Sequence, residues 1–293
     1  MRSLLLAVAV VAMSGAPLLA RPGNEPPAGN CGEVVTIETR GRTTTRYALV
    51  QPKNAQIALV LLVGGGGHLD LDGKGCPRAL RGNSLVRSLP HFQSVGLATV
   101  LVDAPSDHPG EDGLKGFRMT PQHADDLGKV IADARKRTGL PVWIVGTSRG
   151  SISAANAATR LTGPAAPDGV VLTSAITSGG PGGQKPWAAQ TVFDLKLEAI
   201  RVPVLVVGHA ADKCPRTPAG LMGGITARTN GAREEVVKVT GGSGGAPTGL
   251  EACQGKTPHG FLGQEGEVAS GIARFIRGGS YERIRLKWPK PAA

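Results

Sequence analysis

Residues 141–150, Pro-Val-Trp-Ile-Val-Gly-Thr-Ser-Arg-Gly, constrain this chain more than any other stretch. An apolar, β-branched run ends in Gly146-Thr147-Ser148-Arg149-Gly150, and an Ala-rich, helix-forming segment follows. A strand that passes through G-x-S-x-G into a helix turns so sharply that the serine hydroxyl is held at the helix N-terminus, above the sheet. Glycines two before and two after the serine leave room for neighbouring main chain where a Cβ would clash. Ser148 is therefore the candidate nucleophile. The N–H of Arg149 is expected to point to where negative charge develops on an attacked carbonyl.

With 43 glycines in 293 residues, a second G-x-S-x-G needs weighing. Gly241-Gly242-Ser243-Gly244-Gly245 also fits, and it follows the strand-like run Glu235–Val239. It leads into Ala246-Pro247-Thr248-Gly249, where no helix can start. Ser243 is read as part of a Gly-rich loop.

Around the 141–150 run, strand-like and helix-like segments alternate. Residues 33–39 and 45–51 alternate as half-buried antiparallel strands do. Residues 57–63, 97–102, 141–145, 169–175 and 203–208 are continuous apolar runs, as expected of strands buried on both faces. Residues 235–239 form a further strand. Helical spacing covers 83–94, 121–138, 148–161, 218–229 and 265–276. This order predicts an α/β fold with a mostly parallel central sheet and helices on both faces.

The ends read differently. Arg2, the apolar run Leu4–Met13 and the small residues to Ala20 have the form of a secretory signal peptide over 1–20. Residues 21–30 read as a disordered leader, 31–278 as one domain, and 279–293 as a basic, Pro-containing tail. No other stretch approaches the roughly 18 apolar residues of a membrane span, so no stable membrane insertion is expected.

Net charge is +11, but the cations are scattered and only 3% of residues are aromatic, which argues against a nucleic-acid partner. The four cysteines, Cys31, Cys76, Cys214 and Cys253, are an even count in a chain read as exported, which points to disulfides, with three connectivities possible. No C-x-x-C pair is present, so no zinc site is expected. The run Gly64–Gly67 lacks the Lys-Ser/Thr of a phosphate-binding loop and opens no helix, so no nucleotide cofactor is expected.

The chain resembles the α/β-hydrolase superfamily from about residue 33 to 277. The resemblance rests on the serine turn at 146–150, the segment Pro203–Asp212 and the segment Thr257–Phe261. The superfamily order of serine, acid, histidine implies Ser148, Asp212 and His259 as a catalytic triad. Asp194 and Asp168 are rivals for the acid. Asp168 precedes its strand, at the wrong end of the sheet, and Asp194 needs an unusual excursion to reach the site. His209 stands three residues before Asp212 and is expected to be a supporting hydrogen-bonding group.

The superfamily keeps an oxyanion loop after the third strand, which here is Gly64–Gly67. Gly65 and Arg149 are the expected pair of N–H donors. Superfamily members often carry a histidine before this glycine run; here Val63 precedes it and His68 follows. His68, Asp70, Asp103, Ser106 and Asp107 also come from strand-end loops. The segment 103–107 is expected to line the pocket or to stabilise a turn. The Arg149 side chain is placed near the mouth of the site.

If the triad forms, the loops bearing Cys214 and Cys253 converge, which implies a Cys214–Cys253 disulfide and leaves Cys31 to pair with Cys76. Only about two dozen residues lie between Ser178 and Arg201, too few for a large cap. The implied activity is an exported serine hydrolase acting on a small carboxylic ester, with no cofactor and no metal. A peptidase or acyltransferase would use the same triad, and a non-catalytic binding protein is the competing class.

Overall fold

The computed structural model describes residues 31–181, 185–242 and 247–282. The expected signal peptide, the leader, Ser243 and most of the tail lie outside these residues.

Eight strands form one sheet: β1 (Glu33–Arg40), β2 (Thr43–Val50), β3 (Ile57–Leu62), β4 (Leu97–Val102), β5 (Val142–Thr147), β6 (Gly169–Thr173), β7 (Val204–His209) and β8 (Glu234–Val239). Their order across the sheet is β1-β2-β4-β3-β5-β6-β7-β8. The β1–β2 and β2–β4 pairs are antiparallel, and every other pair is parallel. The continuous apolar runs therefore fill the parallel centre, where both faces are covered.

Successive strand residues point to opposite faces, so each strand from β2 to β7 feeds two cores. On one face Val60, Leu62, Val100, Ile144, Leu172 and Val206 pack against α2 (Pro121–Thr138) and α3 (Gly150–Arg160). On the other, Leu59, Leu61, Leu101, Val145, Val171 and Val207 pack against α1 (Ser84–Ser94) and α5 (Glu265–Ile276). The ends of α2 follow from local chemistry. The Thr120 side chain accepts from His123 N–H, Pro121 stands in the first turn, and Gly139 closes the helix at φ 69°.

Three departures from the sequence expectation have a clear local cause. The helix after β5 starts at Gly150, because Ser148 is in the left-handed region at φ 51°. The strand expected over 169–175 stops at Thr173, because Ser174 turns at φ 42°. The helix expected over 218–229 is a 3-10 turn, Ala219–Leu221, followed by the short α4, Gly223–Thr226. Three glycines within that stretch, at 220, 223 and 224, weaken a longer helix.

The loops that leave β3, β5 and β7 and the segment between β8 and α5 all lie at the carboxyl edge of the parallel strands. Open α/β sheets place their ligand crevice along that edge.

Candidate active site

Ser148 occupies the turn between β5 and α3. A non-glycine residue at positive φ carries backbone strain and persists only where its surroundings enforce it. Ser148 N–H donates to Thr173 O at 3.0 Å, and Ser148 O accepts from Ser151 N–H, also at 3.0 Å. The flanking glycines are required by packing. A Cβ on Gly146 would lie 2.3 Å from Gly150 O, and one on Gly150 would lie 2.0 Å from Leu62 O.

The chain leaves β7 at His209 and turns back at once, with Asp212 N–H donating to His209 O at 3.0 Å. Asp212 Oδ1 accepts from Cys214 N–H at 2.8 Å, and Oδ2 accepts from Thr217 Oγ1 at 2.8 Å. His259 Nδ1 lies 2.9 Å from Asp212 Oδ2 and 3.2 Å from Thr217 Oγ1. A carboxylate only accepts, so the proton of His259 belongs on Nδ1, and Nε2 keeps its lone pair. Nε2 is buried and has no hydrogen-bond partner among the described residues.

His259 sits in a 3-10 turn, Pro258–Gly260. Thr257 Oγ1 caps that turn by accepting from His259 N–H at 3.1 Å, and Ser174 Oγ donates to His259 O at 2.7 Å. Arg87 reaches across from α1. It donates to the main-chain oxygens of Gly82 and Gly255 from Nη1 and of Gly260 from Nη2, and it pairs with Glu265 at 2.7 Å. One guanidinium thus joins the loop before α1 to the loop that carries the histidine.

Ser148 and His259 line one cleft of about 300 Å³, together with Gly64, Gly65, Leu80, Asn83, Gln254 and Lys256 among others. At Gly64 the loop presses on the serine, since a Cβ there would lie 2.8 Å from Ser148 Cβ. Neither Gly65 N–H nor Arg149 N–H donates to a main-chain or side-chain acceptor among the described residues. Cys253 also lines the cleft. Disulfides join Cys214 to Cys253 and Cys31 to Cys76, with Cα–Cα separations of 4.7 and 4.9 Å.

Asp212, Cys214 and His259 offer atoms within 4.8 Å of one another. Cys214 is oxidised in its disulfide and supplies no thiolate, so the set does not fit a metal ion.

Other candidate residues stand elsewhere. Asp194 accepts from Thr191 N–H and Oγ1, closing its own local turn. Asp168 pairs with Arg135 at 2.6 Å, at the opposite edge of the sheet. The His209 ring bonds Gln264 Oε1 and Gly241 O, and accepts from Ala211 N–H, without touching the Asp212 carboxylate.

Residues 103–107 do not line the cleft. Asp103 accepts the N–H groups of Leu69, Leu71 and Ala104, and Asp107 pairs with Arg40, so the segment secures turns. His68 lies 3.5 Å from Asp103, and Asp70 lies 3.7 Å from Arg78, both away from the cleft lining.

The Arg149 side chain also turns away from the cleft. It stacks on Trp187 at 3.7 Å and donates to Lys115 O at 3.1 Å. Burial, aided by the nearby Arg216 charge, lowers its pKa to about 10.

Sequence reasoning gave no role to Thr217, Ser174, Thr257 or Arg87. Only Thr257-Pro258 carried a usable signal, a capping hydroxyl followed by proline in the first turn.

No family model matches the sequence, and no curated protein matches it. Solved structures do. The esterase Est1E from Butyrivibrio proteoclasticus with ferulic acid bound is 17% identical at TM-score 0.56, covering 83% of this chain and 98% of that one. Dienelactone hydrolase from Anabaena variabilis is 17% identical at TM-score 0.51, covering 83% and 93%. Proline iminopeptidase from Mycobacterium smegmatis is 12% identical at TM-score 0.53, covering 83% and 97%. These likenesses concern how the chain is folded.

Proposed function

From a chain that has the α/β-hydrolase fold, we infer a serine hydrolase that cleaves a small carboxylic ester. The observation that carries this reading is a strained serine and a buried histidine on one cleft. The far nitrogen of that histidine is 2.9 Å from a carboxylate.

In the proposed reaction His259 Nε2 takes the Ser148 hydroxyl proton as Oγ attacks the ester carbonyl carbon. The carbonyl π pair moves to oxygen, and the oxyanion accepts from Gly65 N–H and Arg149 N–H. The imidazolium, held by Asp212, then protonates the leaving alkoxide as the C–O bond breaks. The acyl group remains on Ser148. Water, deprotonated by His259, attacks the acyl-enzyme, and collapse returns the carboxylic acid and the free serine. Thr217 and Cys214 N–H hold the carboxylate, so the imidazole is oriented in advance. The cleft lies at the small end of ligand-binding cavities, which suits a short substrate.

Export is part of the same proposal. Two disulfides persist in oxidising compartments, and the apolar segment 4–13 has the form of a signal sequence. Among the described residues, no helix is long and apolar enough to cross a membrane.

The test is fluorophosphonate labelling with peptide mapping, joined to turnover of p-nitrophenyl esters of increasing chain length and of a matched anilide. Labelling at Ser148 with ester turnover supports the reading. An unlabelled, inert chain overturns it, and preferred cleavage of the anilide replaces esterase by peptidase.

A further inference from the structure

Arg118 is 1% exposed, and among the described residues no carboxylate pairs with it. A buried cation without a counter-charge is costly. Burial holds this guanidinium's pKa well below the ordinary arginine value, and the Arg149 charge lowers it further. Its acceptors are all neutral. Nη1 donates to Ser153 Oγ at 2.8 Å, and Nη2 donates to the main-chain oxygens of Val63 and Gly65, both at 3.2 Å.

Those two carbonyls flank the Gly64–Gly65 peptide, whose N–H is one of the two proposed oxyanion donors. Holding the peptide planes on either side leaves the central plane one rotation, about the line between its two Cα atoms. The rest of the run is secured from the same side. Gly66 O accepts from Leu114 N–H at 2.8 Å. A Cβ on Gly67 would lie 2.7 Å from Arg118 Nη2, so glycine at 67 admits the guanidinium.

We propose that Arg118 is a positioning residue for the oxyanion site. Its Nη2, with Nη1 anchored on Ser153, grips the glycine run from behind and aims Gly65 N–H at the acyl oxygen, while its charge adds to the field there. The inference rests on the serine-hydrolase reading above. A lysine in its place keeps the charge but cannot bridge two carbonyls and a hydroxyl in one plane. A fixed cation in a dry interior acts on developing negative charge more strongly than it would in water.

The experiment uses the full chain, p-nitrophenyl acetate, and an alkyl trifluoromethyl ketone. Ser148 adds to that ketone with its proton passing to His259, which leaves a hemiketal oxyanion in the site. Arg118→Met is expected to lower kcat about 10²-fold with KM little changed. Trifluoromethyl ketone affinity falls by the same factor, and Arg118→Lys recovers part of the loss. A purely structural role would lower Tm and leave kcat per labelled site and ketone affinity at wild-type values, and that result overturns the proposal.

If Arg118→Met does not fold, Ser153→Ala decides. It keeps the cation but removes the Nη1 anchor and also the partner of His123 Nε2, so a fall in kcat and ketone affinity that His123→Gln does not share supports the proposal, and unchanged values, or an equal fall in His123→Gln, overturn it. A wild-type chain that neither hydrolyses ester nor labels at Ser148 overturns the hydrolase reading, and this inference with it. An active wild type with unaffected Arg118 variants overturns this inference alone.

Discussion

His259 turns its Nδ1 to Asp212 at 2.9 Å, while its Nε2 is buried with no protein partner among the described residues. A buried ring nitrogen without a partner is a costly arrangement for folding alone. It is the arrangement a general base needs, because a free lone pair is what accepts a proton.

Replacing the nucleophile tests the centre of the proposal. Ser148→Ala is expected to lower kcat by about 10⁴ or more while leaving the fold intact. It should also abolish fluorophosphonate labelling. Relief of the left-handed strain is not expected, since alanine tolerates that region no better than serine. Full labelling of the variant would show that another residue is the nucleophile.

The two aspartates separate by role. Asp212→Asn removes the acceptor that assigns the histidine tautomer, and is expected to cost about 10⁴ in kcat. Asp194→Asn disturbs only a capping box, so it should lower stability by about 1 kcal/mol and leave kcat unchanged. Steady-state kinetics beside urea denaturation distinguishes them. Equal activity losses would mean that the acid has been misassigned.

The Cys214–Cys253 bridge spans 39 positions and joins the acid turn to the cleft wall. The chain-entropy estimate for such a loop is about 4 kcal/mol, an upper figure. The Cys214→Ser, Cys253→Ser double variant should therefore unfold at much lower urea, and its kcat should fall as His259 gains freedom. A kcat equal to wild type in the folded variant would confine the bridge to stability.

Arg87 offers a test of loop positioning. Arg87→Met removes three main-chain anchors and the Glu265 pair, and should reduce kcat roughly tenfold or more with little change in KM. Glu265→Gln retains the anchors and should cost far less. Matching losses in the two variants would show that the ion pair, not the anchoring, matters.

Acid sensitivity has an identified contributor. Burial, with the nearby Arg118, His108 and Arg40 charges, holds the His123 pKa well below its ordinary value of 6.5. Below that pH the unfolded chain takes up a proton that the folded chain refuses. Stability is therefore whole above pH 6.5 and falls as pH drops towards the folded pKa. The slope from this one group is about 1.4 kcal/mol per pH unit. His123→Gln should flatten the urea-derived stability curve in that window, and an unchanged slope would assign the loss elsewhere.

Much of the frame was legible in sequence because strong local rules agree. The helix bounds at Pro121 and Thr138 follow from a threonine cap, a first-turn proline and a closing glycine. The central parallel strands announce themselves as largely apolar runs. The Asp212 turn and the His259 loop could be placed by their order after strands. Thr217 and Ser174 could not, since each acts through a tertiary hydrogen bond that no periodicity encodes. Arg87 and Arg118 were hidden for another reason. Arginine reads as surface charge in a sequence, and here both guanidinium groups serve main-chain oxygens of glycine loops. The helix expected over 218–229 failed because pattern outweighed its glycines.

The glycines at 64, 146 and 150 stand where no added carbon fits. Substitution at these points meets backbone or the serine itself, so the floor of the cleft is closed to gradual change. Leu80, Asn83, Gln254 and Lys256 line its walls, and of these Asn83 also caps α1 by accepting from Leu85 N–H. On the proposed function, substrate preference can therefore change at the rim while the serine turn beneath stays as it is. A library randomised at those four positions should yield altered preferences far more often than one randomised at the floor.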